Sequence, residues 1–358
     1  MLRADEFNWN ATILISDLVR PWLGAAFATL AAASASALAD PVADFYKGKQ
    51  MTLLVGSDPG GGYDLLARLV ARHLGDFIPG APKILVENMP GAGSVLLSNR
   101  VYNIAPRDGT FIGLVQRGVL ISQLTNQNGV HYDLAKFNWI GNVSTEISLV
   151  TAWKASPINS IQDVLKREMV VGGTGATADS EASARVLNGL AGAKFKIVSG
   201  YPGTADVVLA MQRGELEGLA DLSWSEIKSK NATMLATGDF KFLAQNALAK
   251  APDLPNVPLS IDLVTDPADR PVAELYYAMK GVARPILAAP GVPPDRVAAL
   301  RAAFDKMVLD ADFQNDWRSS KLDLNPTNYK TIEAFVSRAT AATSGVRDRL
   351  TEILSPKR

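Results

Sequence analysis

The sequence predicts an α/β fold in two domains, and three observations carry that reading. Residues 51–55 and 169–171 are short apolar runs suited to buried strands, and each runs directly into a glycine-rich segment. Beyond each segment the apolar residues recur at helical spacing, giving two strand–loop–helix units. The chain has 358 residues, 47% of them apolar, which is long enough for two domains and rich enough to fill their cores.

In the first unit, the strand at 51–55 ends at Gly56, and Gly60, Gly61 and Gly62 form the tightest part of the loop. From Asp64 onward, Leu65, Leu66, Leu69, Val70 and Leu74 supply an apolar stripe. Arg68 and Arg72 lie opposite, and Asp64 with Arg68 makes an i,i+4 pair. Glycines let backbone N–H groups converge on a ligand, and a helix N-terminus beside them favours an anion. A tight β–α turn that binds nothing has the same sequence. No Gly-Lys-Ser/Thr follows, so the loop is not a P-loop.

Several motifs, taken in order, resemble one family. They are Gly60-Gly61-Gly62-Tyr63-Asp64-Leu65-Leu66-Ala67-Arg68, Val86-Glu87-Asn88-Met89-Pro90-Gly91-Ala92-Gly93-Ser94, and Ala105-Pro106-Arg107-Asp108-Gly109-Thr110. Tyr201-Pro202-Gly203-Thr204 and Ala288-Ala289-Pro290-Gly291-Val292-Pro293 complete the set. The set resembles the Bug receptors, TctC-like periplasmic solute-binding proteins of tripartite tricarboxylate transporters, over roughly residues 48–355. The resemblance implies a two-lobed periplasmic binding protein of type II, a Venus flytrap, each lobe a mixed sheet flanked by helices. It implies lobe 1 from residues 40–145 and 256–358, lobe 2 from 146–255, and one glycine loop on each lobe facing a cleft.

Composition narrows the function. Basic and acidic residues number 36 each, so neither nucleic acid nor an anionic membrane is expected as a partner. Absence of Cys removes disulfides and thiolate chemistry, and two His residues, His73 and His131, cannot build a multi-His zinc site. No cofactor, no metal and no catalytic residue is expected. Residues 22–39 form an Ala-rich apolar run ending Ala37-Leu38-Ala39, which reads as a secretory signal peptide over 1–39; an uncleaved anchor is the other reading. Export places the chain in the periplasm.

Further along lobe 1, a strand at 83–87, a turn at Pro90-Gly91, a helix at 94–103 and a strand at 110–115 follow in turn. Ligands of open α/β sheets sit beyond the carboxyl ends of strands. Ser57 and Gln116-Arg117 lie at such ends. Arg117 is a candidate carboxylate partner, its guanidinium offering a bidentate fork, although an exposed surface arginine would read the same. The family has small or polar residues here.

In lobe 2, a crossing strand at 146–153 precedes a helix from Ser160, with Asp163 completing a capping box. The strand at 169–171 leads to Thr174, Gly175, Ala176 and Thr177. Gly173-x-Gly175-x-x-Ala178 matches the dinucleotide fingerprint, but the next strand, 194–198, ends in Ser199-Gly200 without the acidic residue that binds ribose. An NAD(P)-linked oxidoreductase is therefore the weaker alternative. Where the family often carries His, this chain has Asp179-Ser180-Glu181. Tyr201 and Asp221 are further ligand candidates, and Trp224 is either a cleft wall or a core aromatic.

The return to lobe 1 is expected as a strand at 274–279 continuing at 284–287, then a helix from Pro294. Helices at 312–322 and 331–354 follow, the latter with a break at Gly345, and the resemblance packs these last helices on lobe 1. The function expected is capture of a small carboxylate for a membrane transporter by a monomeric, non-enzymatic receptor whose ligand-binding residues are Ser57, Gly60, Gly61, Gly62, Asp64, Arg117, Thr174, Gly175, Ala176, Thr177, Tyr201, Asp221 and Trp224, with Asp64 orienting the loop through N–H groups at the helix start. A sensor adaptor passing ligand state to a kinase would share the fold.

Overall fold

A computed structural model describes residues 40–60, 62–125, 128–175, 178–319 and 324–355. The signal-peptide reading, Gly61, Ala176 and Thr177 lie outside the described residues.

Eleven strands among the described residues form two mixed sheets. The first contains β1 (Gln50–Val55), β2 (Lys83–Asn88), β3 (Phe111–Leu114), β4 (Asn138–Asn142) and, later in the chain, β10 (Pro285–Ala288) and β11 (Thr327–Asn328), in the order β11-β4-β10-β3-β1-β2. The second contains β5 (Ser148–Trp153), β6 (Met169–Gly173), β7 (Phe195–Ser199), β8 (Gly218–Ser223) and β9 (Phe240–Asn246), in the order β7-β6-β8-β5-β9. The chain then returns to the first sheet for β10 and β11. β1 pairs in parallel with β2 and β3, and β6 with β7 and β8, whereas β10 and β5 pair antiparallel with their neighbours. Parallel pairs need helical crossovers, which bury both faces of the strands and explain the apolar runs that stood out in the sequence.

Local signals held where they were local. The Gly62–Phe77 helix buries Leu66, Leu69, Val70 and Leu74 against the first sheet, while Leu65 is left 58% exposed. Asp163 accepts the backbone N–H of Ser160 at 2.9 Å, completing the capping box before the Ile161–Lys166 helix. The C-terminal run breaks between the Tyr329–Ala341 and Ser344–Leu354 helices, and Thr343 caps the second. At Gly141 in β4 a side chain has no room: a Cβ there would sit 2.3 Å from the Phe304 ring, on the helix that covers this strand.

Two expectations fail. Residues 270–278 form a helix, not a strand: Pro271 opens it, and Val272, Leu275 and Tyr276 are buried at spacings of three and four. The Ser344–Leu354 helix also does not stay with the first sheet. It packs on the Arg270–Ala278 helix and on the Asp179–Ala191 helix, which covers the second sheet. Arg349 holds both, with Nη2 donating to the Gly189 carbonyl at 3.1 Å and Nε to Asp269 at 3.2 Å. Among the described residues no helix is long and apolar enough to cross a membrane.

The chain passes between the sheets after β4 and again before β10. These two passages touch: Glu146 N–H donates to the Lys280 carbonyl at 2.9 Å.

Candidate functional site

The carboxyl ends of β1 and β3 in one sheet and of β6 and β8 in the other open into a shared cleft of about 1430 Å³. A smaller cavity of about 420 Å³, between Asn138 and the Pro294–Met307 helix, lies away from these strand ends.

On the first side the loops are tied to one another. Ser94 is fully buried with φ +76°, and its Oγ donates to the Gly56 carbonyl at 3.0 Å while accepting from Gln116 N–H at 3.0 Å. Gln116 Nε2 donates to the same carbonyl at 2.7 Å. Asp64 accepts Gly60 N–H at 2.9 Å, Asn88 Nδ2 at 2.9 Å and Arg68 Nε at 3.0 Å. The Arg68 bond, with those from Gly60 and Asn88, outweighs burial and holds the Asp64 carboxyl down at about 2. Asp64 thus shapes the loop through Gly60.

This makes a stability prediction. A carboxylate depressed from 3.8 to about 2 contributes stability that is present above the ordinary value and is lost as pH falls through about 2. The linkage is worth roughly 2 kcal/mol. Acid titration of urea stability should show this loss in the wild type and not in Asp64→Asn; equal acid limbs in the two proteins would refute it.

On the second side, Thr174 N–H donates to Ser180 Oγ at 3.1 Å and Gly175 N–H to Glu181 Oε1 at 3.0 Å. Glu181 is buried and paired with Arg185 at 2.5 Å. The Thr174 and Gly175 amides, which a dinucleotide pyrophosphate would draw on at this fingerprint, are therefore already bonded to the helix that follows.

Between the two sides lie three cations and three carboxylates. Arg117, at the end of β3, is paired with Asp179 at the start of the second-side helix. Lys280 contacts Asp221 at 2.7 Å and Asp179 at 3.9 Å, and Arg284 contacts Glu146 at 3.3 Å. Asp221 also accepts from Ser183 Oγ at 2.5 Å, Ser148 Oγ at 2.8 Å and Asn246 Nδ2 at 3.2 Å. Burial alone would raise the Asp221 pKa, but Lys280 and Arg117 outweigh it and hold it below the usual carboxylate range. Burial pushes the Lys280 ammonium down to about 8, against the pull of Asp221. Arg117 Nε is buried without a hydrogen-bond partner among the described residues.

No family model matches the chain. A UPF0065 protein in the gbd 5′ region of Cupriavidus necator is 25% identical over 243 residues, 66% of this chain and 70% of the relative. A TctC solute binding protein from Polaromonas, solved without ligand, superposes with a TM-score of 0.67 at 19% identity, over 86% of this chain and 98% of that one. The periplasmic binding protein BugD gives 0.58 at 21%, over 86% and 97%. MatC from Rhodopseudomonas palustris with bound malate gives 0.59 at 20%, over 86% and 99%.

The fold is that of the TctC and Bug periplasmic binding proteins.

Within this Bug fold, the structure brings six of the sequence candidates to the cleft wall: Gly60, Gly62, Arg117, Thr174, Gly175 and Asp221. Ser57, Asp64, Tyr201 and Trp224 are not among the described cleft-lining residues. Trp224 is a core aromatic: it is buried, edge-on to Phe242, and its Nε1 donates to Asp253 at 2.8 Å. Tyr201 packs against the same second-sheet cluster, with its N–H on the Gly173 carbonyl at 3.2 Å.

Sequence reading passed over Glu146, Lys280 and Arg284 as site residues. Lys280 carried a signal, since it is the one charge in the otherwise apolar run 275–283 and ends 2% exposed. A lysine that deep is rarely unpaired.

Proposed function

We propose that the chain is a periplasmic solute receptor that takes a small carboxylate between the two sheets and presents it to a membrane transporter of the tripartite tricarboxylate type. One observation carries the reading: the Arg117 guanidinium, on a side chain 17% exposed, stands where the strand ends of both sheets converge, and its buried Nε has no hydrogen-bond partner among the described residues. A guanidinium fork is the group best matched to a carboxylate. MatC, with its bound malate, has the same fold and supports the ligand class.

In this reading the lobes are residues 40–145 with 256–358, and 146–255. They close about the paired passages at Glu146 and Lys280, and the closed form is what the transporter recognises. Residues 1–39 act as a signal peptide, and the receptor works as a monomer without chemistry of its own. Five cations and five carboxylates line the described cleft, so recognition rests on placed donors rather than on a positive field.

A thermal-shift screen of the chain from Asp40 tests this, using mono-, di- and tricarboxylates, amino acids and NAD(P). A bound ligand at about 100 times its Kd adds roughly 2.7 kcal/mol, which is a shift of a few degrees. A shift with a carboxylate-bearing solute supports the receptor; a shift with NAD(P) alone overturns it.

A further inference from the structure

We infer that Asp179 determines the specificity of the cleft, reserving Arg117 for solutes that carry an ammonium on the carbon next to their carboxylate. The inference rests on the receptor reading and narrows its ligand to α-amino carboxylates.

Arg117 is not a vacant anion site. Its guanidinium is already paired, across the cleft, with a carboxylate of the opposite side. An incoming anion must displace Asp179 or share Arg117 with it. Sharing sets two carboxylates against one guanidinium in a partly dehydrated space, which disfavours ionisation of one of them.

Displacement does not solve this for a plain anion. The nearest other cation to Asp179 is Lys280, 3.9 Å away, and Lys280 is held by Asp221 at 2.7 Å. Drawing Lys280 toward Asp179 would strip Asp221 of its closest charge partner, leaving it on Ser148, Ser183 and Asn246. Buried charges are costly without a partner. The third cation, Arg284, is committed to Glu146 and Ser144. The other two cleft-lining cations, Arg72 and Lys230, are paired with Asp316 at 3.2 Å and Glu226 at 3.5 Å, so every cation lining the described cleft already faces a carboxylate.

A zwitterion resolves both demands at once. Its carboxylate takes Arg117, including the Nε donor that has no partner among the described residues. Its ammonium takes the displaced Asp179, and charge parity is restored. Arg117 and Asp179 begin in contact, so the two ligand groups must leave a common carbon.

Matched probes isolate the ammonium: L-aspartate against L-malate, L-glutamate against L-2-hydroxyglutarate, and L-alanine against L-lactate. Each pair differs in an ammonium or a hydroxyl on one carbon. Calorimetric titration of wild type and Asp179→Asn, with melting curves to show that both are folded, gives the ratio of affinities within each pair. In the wild type the amino member should bind at least about tenfold tighter in the pair of fitting length. In Asp179→Asn that ratio should collapse to within about threefold, the hydroxy acid gaining as the amino acid loses. Hydroxy acids binding as well as amino acids in the wild type, or a ratio unchanged in Asp179→Asn, overturns the role of Asp179 and leaves the receptor reading standing. Failure of all six probes overturns the inference, and failure of the whole carboxylate panel overturns the receptor reading itself.

Discussion

Arg117→Ala should weaken carboxylate binding by about a hundredfold or more, a loss of roughly 3 kcal/mol. Two effects act in the same direction. The variant loses a charge-assisted donor set at the convergence of the strand ends, and it leaves Asp179 facing the cleft without its partner. Asp179, left with only Lys280 at 3.9 Å, then repels the solute carboxylate that the site should attract. Arg117→Lys separates these effects. It retains a positive charge near Asp179 but removes the planar fork, so it should recover part of the affinity and not all of it. Calorimetry with the best solute of the thermal-shift screen gives both values. Affinity unchanged in Arg117→Ala would remove Arg117 from the site.

The second large effect concerns stability. Asp221→Leu should destabilise the protein by about 3–5 kcal/mol near neutral pH, because it strands the Lys280 ammonium among buried groups. Lys280 is 2% exposed and has Asp221 as its nearest carboxylate. The pH dependence carries its own signature. Burial already sets the folded-state pKa of Lys280 at about 8, below its ordinary 10.5. Between those values the unfolded chain holds more protons than the folded one, so this group's contribution to stability rises with pH. Without Asp221 the folded value drops further, and the deficit of the variant against wild type should shrink as pH climbs toward 10. Urea denaturation at pH 7 and pH 10 measures it. A deficit that is constant with pH would mean that Lys280 is not the stranded group.

What could be read from the sequence followed the range of the interactions. The β1–loop–helix unit was legible because its determinants sit within a few residues of each other. The Asp64–Arg68 pair was legible because it spans four positions, and the same carboxylate reaches Gly60 N–H four positions the other way. The capping box at Ser160 and the break before Gly345 were legible for the same reason. The helix at 270–278 was misread because its run of apolar residues fits a strand unless the spacing of Val272, Leu275 and Tyr276 is weighed against the prolyl start. The ionic floor of the cleft was not legible. Lys280 is 59 positions from Asp221, and Arg284 is paired with Glu146 from the other passage between the sheets. Nothing local marks such charges as partners, and only the meeting of the two passages makes them so. Trp224 shows the converse: its position left it open as a cleft wall or a core aromatic, and Phe242 and Asp253 claim it for the core.

The most direct test of the account is a distance across the cleft. The chain has no Cys, so two introduced thiols are unique labelling sites. Leu65 and Lys230 are exposed and line the cleft from the first- and second-sheet sides respectively. Spin labels on the Leu65→Cys/Lys230→Cys protein, measured by pulsed electron resonance, report that separation with and without the solute found by thermal shift. The account expects the distribution to shorten on solute addition and to stay unshortened when Arg117→Ala is added to the labelled pair. A solute that binds the labelled protein tightly yet leaves the distance unchanged would contradict closure of the two sheets around it.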